Sequence, residues 1–160
     1  MNDLELSIVI VNWNTREILR DCLRSVRWAT RGLRAEVLVV DNASSDGSAA
    51  MVREEFPECV LVCNATNVGF AAANNQALRI ARGRWLLLLN SDTVVLGDVL
   101  ARSIRYLESH PDVGVMGCRV LNPDLSLQPT CFRYPSFTNL ALLTSGLARV
   151  EWPRTLGRYQ

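Results

Sequence analysis

The 160-residue chain contains no lysine, and all 17 of its basic residues are arginines. This absence excludes a P-loop lysine, a Schiff base and a lysine general base. The chain has one histidine, His110, which precedes Pro111 and is expected to lie on the surface at the end of a helix. A Ser-His-Asp triad is therefore disfavoured.

Long apolar runs and a strong net charge are also missing. The apolar runs fall well short of the ~20 residues that a membrane span needs, and the N-terminus does not resemble a secretion signal. A formal net charge of +1 gives no electrostatic argument for nucleic acid or an anionic membrane. The five cysteines form no CxxC pair, which predicts free, buried thiols. These features favour a cytoplasmic globular protein of about one domain.

Strand-like apolar runs alternate along the chain with amphipathic segments of helical spacing. This alternation predicts an α/β fold with a mainly parallel sheet and helices on both faces. Four leucines at 86–89 form the most apolar run and predict a central strand buried on both faces. The predicted strands are 6–13, 35–41, 59–64, 84–90 and 113–120, and the predicted helices are 15–30, 45–56, 69–83, 97–110 and 138–150.

Short polar side chains collect where the predicted strands end. Asn12 and Asn14 follow the first strand, Asp41 and Asn42 the second, "NATNVGF" the third and "NSD" at 90–92 the fourth. Open α/β sheets bind ligands beyond the carboxyl ends of their strands. Turns attract such residues as well, but four polar strand ends at one edge predict a binding site.

Several features of these loops favour a nucleotide. Asp41 closes an apolar strand, as a residue that reads a base or ribose would, and the helix after "NVGF" can turn its N–H groups to an anion. The chain has no GxGxxG and no GxxxxGKS, which disfavours a dinucleotide site and a P-loop. A site without a lysine or a glycine-rich loop must offset the negative charge of a bound diphosphate in another way. A divalent cation, which takes oxygen ligands, does so. Asp92 is the candidate ligand, and Ser91 and Asn90 are lesser contributors.

Four segments, in this order, resemble the donor-binding half of the inverting family 2 glycosyltransferases. The segments are "SIVIVNWNTREILRDCLRSV", "EVLVVDNASSDGS", "NVGFAAANNQAL" and "WLLLLNSDTVV", and the last two are closest to a bacterial rhamnosyltransferase-like branch. The resemblance covers about residues 4–136. It implies the GT-A fold, a nucleotide-diphosphate sugar as donor, and Mg²⁺ or Mn²⁺ as cofactor.

The resemblance also assigns roles to single residues. "NSD" stands where the family has its DXD motif, which makes Asp92 the metal ligand, and Asp41 matches the carboxylate that contacts the base. Leu125 stands where relatives usually have a glycine turn. The other implied donor-site residues are Asn12, Asn14, Asn42, Asn67, Gly69, Phe70, Asn74 and Ser91.

The organisation implied is a nucleotide-sugar-binding domain at 1–136 and, at 137–160, the start of an acceptor half. The acidic segment that supplies the general base in the family has no match here, so the catalytic base is unassigned. Asp124 is the best substitute, but its Asn-Pro-Asp context favours a turn role. We therefore expect the chain alone to bind donor and to transfer sugar poorly.

The function expected from the resemblance is sugar transfer in cell-surface polysaccharide synthesis. Rhamnose is the candidate sugar, and a saccharide or lipid-linked molecule is the acceptor. A non-catalytic nucleotide or nucleotide-sugar binding module is the alternative. Peripheral association with the inner face of the membrane and a homodimer through 138–150 both stay open.

Overall fold

The computed structural model describes residues 4–128, so the predicted helix at 138–150 lies outside the described residues. Two compact units divide the chain, 1–116 and 117–160. No helix within residues 4–128 has the length and apolarity of a membrane span. The elements of the first unit are β1 (Leu6–Asn12), α1 (Arg16–Ala29), β2 (Ala35–Asp41), α2 (Ser48–Glu55), β3 (Val60–Cys63), α3 (Phe70–Leu78), β4 (Trp85–Asn90) and α4 (Val99–Ser109).

The sheet is parallel, with the strand order β3-β2-β1-β4. β1 pairs with β2 so that Asn12 lies directly beside Asp41. On its other side β1 pairs with β4 so that Val11 lies beside Asn90. Three strands therefore end at the same level, which brings their polar loops to one edge.

Helices cover both faces of this sheet, which confirms the predicted α/β fold. On one face, α1, α2 and α4 bury side chains such as Leu23, Met51 and Ile104 against Ile8 and Ile10 of β1. On the other face, α3 packs Ala73 and Ala77 against Val9, Leu38 and Val40. Each fully buried Leu or Ile stabilises the fold by about 1.5–3 kcal/mol, so β1, buried almost throughout, anchors the sheet.

The prediction of a central, fully buried strand at 86–89 is wrong in its position. Within residues 4–128, β4 is at the edge of the sheet. Leu87 and Leu89 pack against the core, but Leu86 and Leu88 are 55% and 53% exposed. Successive side chains of a strand point to opposite faces, and α3 lies over β1 and β2. The leucines on that face of β4 consequently have no helix above them among the described residues.

The predicted strand at 113–120 and the predicted end of the third helix are also wrong. The segment 113–120 forms no strand, because Gly114 and Gly117 interrupt it and Val115 is exposed. Helix α3 ends at Leu78 and does not reach Gly83. The chain instead turns after α3 and brings Gly83 against the start of β1.

The cysteines agree only in part with the prediction of free, buried thiols. The four within the described residues are free. Cys22 is fully buried in α1, and burial raises the pKa of its thiol to about 12. Cys59 is half-buried, and its thiol pKa is also raised to about 12 by burial. Cys63 and Cys118 are exposed, so the prediction of burial is wrong for these two.

The described part of the second unit contains a short turn. Leu121 and Leu127 form an antiparallel bridge, and Leu125 has φ = 65°. This left-handed backbone favours glycine, which accounts for the glycine expected at that position in relatives. Asp124 Oδ1 accepts hydrogen bonds from Ser126 N at 3.0 Å and Ser126 Oγ at 2.6 Å. These bonds lower the pKa of Asp124, so its carboxylate serves the turn and is a weak base.

A buried polar network lies at the amino ends of β1 and β2. Ser7 Oγ donates to Glu36 Oε1 at 2.7 Å and accepts a hydrogen bond from Gly83 N at 2.7 Å. Arg82 donates to Glu36 Oε1 from its backbone N at 2.6 Å and to Oε2 from Nε at 3.0 Å and Nη2 at 2.8 Å. The network ties the segment after α3 to the sheet.

This network predicts an acid-sensitive contribution to stability. Burial alone would raise the pKa of Glu36, but the hydrogen bonds from Ser7 and Arg82 outweigh burial and lower it. A carboxyl with a lowered folded-state pKa stabilises fully above its unfolded pKa of about 4.3 and loses that contribution as pH falls through the folded value. The stability advantage of wild type over Glu36→Gln should therefore shrink below about pH 4.3.

Urea unfolding at a series of pH values measures this advantage. Glu54→Gln, at an exposed position on α2, is the control and should follow the wild-type curve. An advantage over Glu36→Gln that stays constant down to the lowest pH would show that the network does not hold Glu36 as a carboxylate.

Candidate functional site

The centre of the carboxyl edge is a buried carboxylate. Asp41 ends β2 and is 4% exposed. Its Oδ1 accepts a hydrogen bond from Asn12 Nδ2 at 3.1 Å, and its Oδ2 accepts one from Ser44 N at 3.0 Å. Ala43, with φ = 65°, turns the chain so that Ser44 folds back onto Asp41. A carboxylate offers about four lone-pair sites, so Asp41 keeps acceptor capacity for a ligand.

The loops after β1 and β2 are joined into one unit. Asn14 has φ = 55°, its backbone N donates to Ser44 Oγ at 2.9 Å, and its Oδ1 accepts from Ser45 N at 2.8 Å. Asp46 accepts from Arg16 N at 2.8 Å and Ser48 N at 3.0 Å. Asn14 therefore links the loop after β1 to the loop after β2.

Asp46 was not among the predicted site residues. Desolvation would raise the pKa of Asp46, but hydrogen bonds from Ser48 and from the Arg16 backbone outweigh it and lower the pKa. Its charge stabilises the first turns of two helices, α1 and α2, where the N–H groups are unpaired within the helix. Its place in "SSDGS", two residues before α2 begins at Ser48, was the available signal, because Asp and Ser before a helix commonly cap it.

Asn42 holds the loop between β3 and α3. Its Nδ2 donates to Asn67 Oδ1 at 2.6 Å, and its Oδ1 accepts from Val68 N at 3.0 Å and Asn64 Nδ2 at 3.1 Å. Asn64 also exchanges two hydrogen bonds of 3.0 Å with Gln76 of α3. Asn42 and Asn67, both predicted as donor-site residues, thus lie together and fix this loop.

The start of α3 presents one aromatic side chain. Gly69 precedes the helix with φ = 84°, a backbone that favours glycine. Phe70 is 60% exposed. Asn74 is buried, and its Nδ2 donates to Phe70 O at 2.9 Å inside the helix. Among the predicted residues of this segment, Phe70 is accessible to a ligand and Asn74 supports the helix.

The loop after β4 carries the exposed carboxylate of the site. Its path is fixed on α1, since Val95 N donates to Ser25 Oγ at 2.9 Å and Cys22 Sγ lies 3.7 Å from Asn90 O. Ser91 is half-buried, and Asp92 is exposed. Among residues 4–128 the Asp92 carboxylate has no hydrogen-bond or ion-pair partner, so its oxygens are available to a cation.

A complete metal site built from protein ligands is not present in the described part of the chain. Residues 4–128 contain no group of three or more His, Cys, Asp or Glu side chains that could hold an ion. Asp92 can therefore serve as one ligand among several, with the others coming from a bound molecule or from water.

Two accessible or central residues of the edge were missed by sequence reasoning. Trp13, between Asn12 and Asn14, is 57% exposed and offers a flat aromatic surface to a ligand. Thr15 lies between β1 and α1, and its Oγ1 is 2.5 Å from Asn12 Oδ1. A tryptophan between two asparagines at a strand end was a readable signal, whereas the contact of Thr15 depends on the folded loop.

Residues 7–130 match the family described as Glycosyl transferase family 2. The chain belongs to this family. Among curated relatives, it is 32% identical over 117 residues to the uncharacterized glycosyltransferase YfnE of Bacillus subtilis, which covers 71% of the chain and 30% of the relative. It is 33% identical over 106 residues to the succinoglycan biosynthesis protein ExoO of Rhizobium meliloti, which covers 66% of the chain and 30% of that protein.

Solved structures of other proteins share the fold. The Staphylococcus aureus protein TarS (residues 1–349) superposes with a TM-score of 0.61 at 23% identity, covering 68% of this chain and 33% of TarS. The mannosyltransferase PcManGT from Pyrobaculum calidifontis, solved with GDP-Man and Mn²⁺, superposes with a TM-score of 0.59 at 27% identity and covers 64% of this chain and 32% of PcManGT. The chain spans 30–40% of the length of the first curated relatives that it matches.

Proposed function

We propose that this chain forms the donor-binding part of a glycosyltransferase that uses a nucleotide-diphosphate sugar and a divalent cation. The observation that carries the proposal is the arrangement of two carboxylates at one sheet edge. Asp41 is buried and held in place by Asn12 and Ser44, whereas Asp92 is exposed and has no partner among residues 4–128. A fixed acceptor and a free carboxylate suit the two ends of a nucleoside diphosphate.

The nucleoside end of the donor would be recognised around Asp41. Its remaining lone pairs can accept hydrogen bonds from a base N–H or a ribose hydroxyl. Trp13 and Phe70, both more than half exposed, offer faces on which a base can stack. Base–aromatic stacking is worth about 1–3 kcal/mol, so Trp13 and Phe70 would add affinity while Asp41 adds selectivity.

The diphosphate end would be held near Asp92 together with a cation. Mg²⁺ is commonly bound by one or two carboxylates plus substrate phosphates, and Asp92 fits that pattern. When bound, the cation would offset the negative charge of the diphosphate leaving group. The Mn²⁺ in the complex of PcManGT with GDP-Man supports this assignment. Ser91 and Asn90, on the same loop, would add neutral oxygen atoms.

We extend the proposal to transfer with inversion, as the resemblance implies. Relatives described by their roles in succinoglycan and O-antigen biosynthesis support a product among cell-surface polysaccharides. The donor sugar we propose is rhamnose, the acceptor is a saccharide or lipid-linked molecule, and the place of action is the cytoplasm or the inner face of the membrane.

A non-catalytic binding module is the second candidate, and one observation favours it. Inverting transfer needs a general base within hydrogen-bond reach of the acceptor hydroxyl. Asp124, the best substitute identified in the sequence, is occupied by Ser126 in its turn, and its pKa is lowered by those bonds. We therefore predict donor binding without efficient transfer for residues 1–160.

Calorimetry with UDP and GDP in the presence of Mn²⁺ tests donor binding. Replacing Asp41 with alanine should lower the affinity for the preferred nucleotide by about 10-fold to 100-fold, because hydrogen bonds to charged groups contribute about 1.5–3 kcal/mol. Asp41→Asn, which keeps the side-chain shape, should show the same direction if Asp41→Ala does not fold.

Asp112→Ala, at an exposed loop position, is the matched control and should bind as wild type does. Wild-type protein that binds neither nucleotide would disprove the proposed function. A folded Asp41→Asn variant with wild-type affinity would disprove the role of Asp41 alone.

A further inference from the structure

Helix α1 begins with a threonine that does not cap it. Thr15 occupies the N-cap position, where a hydroxyl usually accepts a hydrogen bond from the second or third N–H of the helix. Here the side chain makes no such bond. Asp46 Oδ2 instead accepts from Arg16 N at 2.8 Å. The hydroxyl of Thr15 is therefore available for another purpose.

That hydroxyl connects two loops of the candidate site. Thr15 Oγ1 lies 2.5 Å from Asn12 Oδ1 and 3.3 Å from Ser91 Oγ. Asn12 in turn donates from Nδ2 to Asp41 Oδ1 at 3.1 Å. A continuous chain of hydrogen bonds thus runs from Asp41 through Asn12 and Thr15 to Ser91.

The direction of every bond in this chain follows from its first member. A carboxylate accepts hydrogen bonds and donates none, so Asn12 turns its NH₂ group to Asp41 and its oxygen to Thr15. Thr15 has one hydroxyl hydrogen, which the shorter contact to Asn12 uses. Ser91 must then donate in the longer contact. Its own lone pairs are left facing away from Thr15.

We propose that Thr15 is a positioning residue that orients Ser91 toward the diphosphate and cation of the donor. With its hydrogen directed to Thr15, the Ser91 hydroxyl presents an oxygen acceptor, which suits a hard cation or its bound water. Thr15 thereby couples the nucleoside end of the site at Asp41 to the diphosphate end at Asp92. This inference rests on the proposed function, because it names how one side chain serves the same site.

The test compares the affinities of UDP and UMP (or GDP and GMP) with Mn²⁺ by calorimetry. Thr15→Val keeps the shape of the side chain and removes the hydroxyl. We expect the advantage of diphosphate over monophosphate to fall about tenfold in this variant, since the hydrogen bond that orients the Ser91 hydroxyl is lost. Thr15→Ser keeps the hydroxyl and should restore the advantage.

Thr30→Val is the matched control at the other end of the same helix. Thr30 Oγ1 donates to Val26 O at 2.8 Å, within α1 and away from the site loops. This substitution should leave the advantage of diphosphate over monophosphate unchanged. A similar loss in Thr30→Val would show that a general weakening of α1, and not the hydroxyl of Thr15, causes the effect.

A double-mutant cycle with Ser91→Ala tests the link from its other end. The loss caused by Thr15→Val should largely disappear in the Ser91→Ala background, because the bond is already broken there. Additive losses, or a failure of Thr15→Ser to restore binding, would overturn the positioning role while leaving the proposed function intact.

If Thr15→Val does not fold, the Thr15→Ser and Ser91→Ala variants decide: Ser91→Ala must lose the diphosphate advantage and Thr15→Ser must keep it. Wild-type protein that binds no nucleotide would overturn both proposals.

Discussion

Replacing Asp92 with asparagine is expected to remove the gain in affinity that Mn²⁺ gives a nucleoside diphosphate. Asparagine keeps the size of the side chain and removes its charge. Residues that only orient a metal ligand cost about 10-fold to 100-fold in metal affinity when lost. Because the described residues contain no cluster that could replace Asp92, its loss should cost at least roughly 100-fold.

Calorimetry of UDP and GDP, each with and without Mn²⁺, measures this effect. Asp98→Asn is the matched control, since Asp98 is also exposed and lies six residues further on, near Arg102 and Arg105. Affinity without metal should be similar in all three proteins. Two outcomes would contradict the assignment: Mn²⁺-dependent binding that survives in Asp92→Asn, or tight Mn²⁺ binding by wild type without nucleotide.

Replacing Gly83 with alanine is expected to have the largest effect on stability. A Cβ atom at this position would lie 2.4 Å from Ser7 N, 2.5 Å from Leu6 C and 2.8 Å from Ser7 Oγ. Two of these are backbone atoms of β1, which cannot move without disturbing the ladders on both of its sides. The substitution should therefore cost roughly 3 kcal/mol or more, at or above the upper end for overpacked sites.

Urea unfolding of Gly83→Ala measures this cost directly. Gly114→Ala is the control, because a Cβ there would meet no atom within 4 Å. Gly83→Val should be worse than Gly83→Ala, and with a total stability of about 5–15 kcal/mol it can prevent folding. Near-wild-type stability of Gly83→Ala would mean that the start of β1 has room to move.

The order of strands and helices could be predicted because hydrophobic periodicity is a local property. Strand β1 and helix α1 were both readable from their own residues, and the structure confirms them. The place of β4 in the sheet could not be read in this way. It depends on which strands pair, and a run of leucines reports only that its side chains are apolar.

The position of the candidate site could be predicted from the order of strands and helices, but its contacts could not. A parallel sheet brings its carboxyl ends together, so Asn12, Asp41 and the loop of Asp92 could be placed at one edge before their distances were known. Their roles in binding stay predictions. Thr15 and Glu36 could not be found, since each acts through a partner distant in sequence: Ser91 for Thr15, and Arg82 for Glu36.

The buried hydrogen bonds of Asp41 bear on the thermodynamics of donor binding. Immobilising a flexible side chain at an interface costs about 0.5–1.5 kcal/mol in conformational entropy. Asp41, held by Asn12 and Ser44 in the absence of ligand, has already lost that freedom on folding. Asp92 and Trp13 are exposed and would lose theirs on binding. The entropic cost of binding a donor should therefore arise at the diphosphate and stacking positions, while the contact with Asp41 is preorganised.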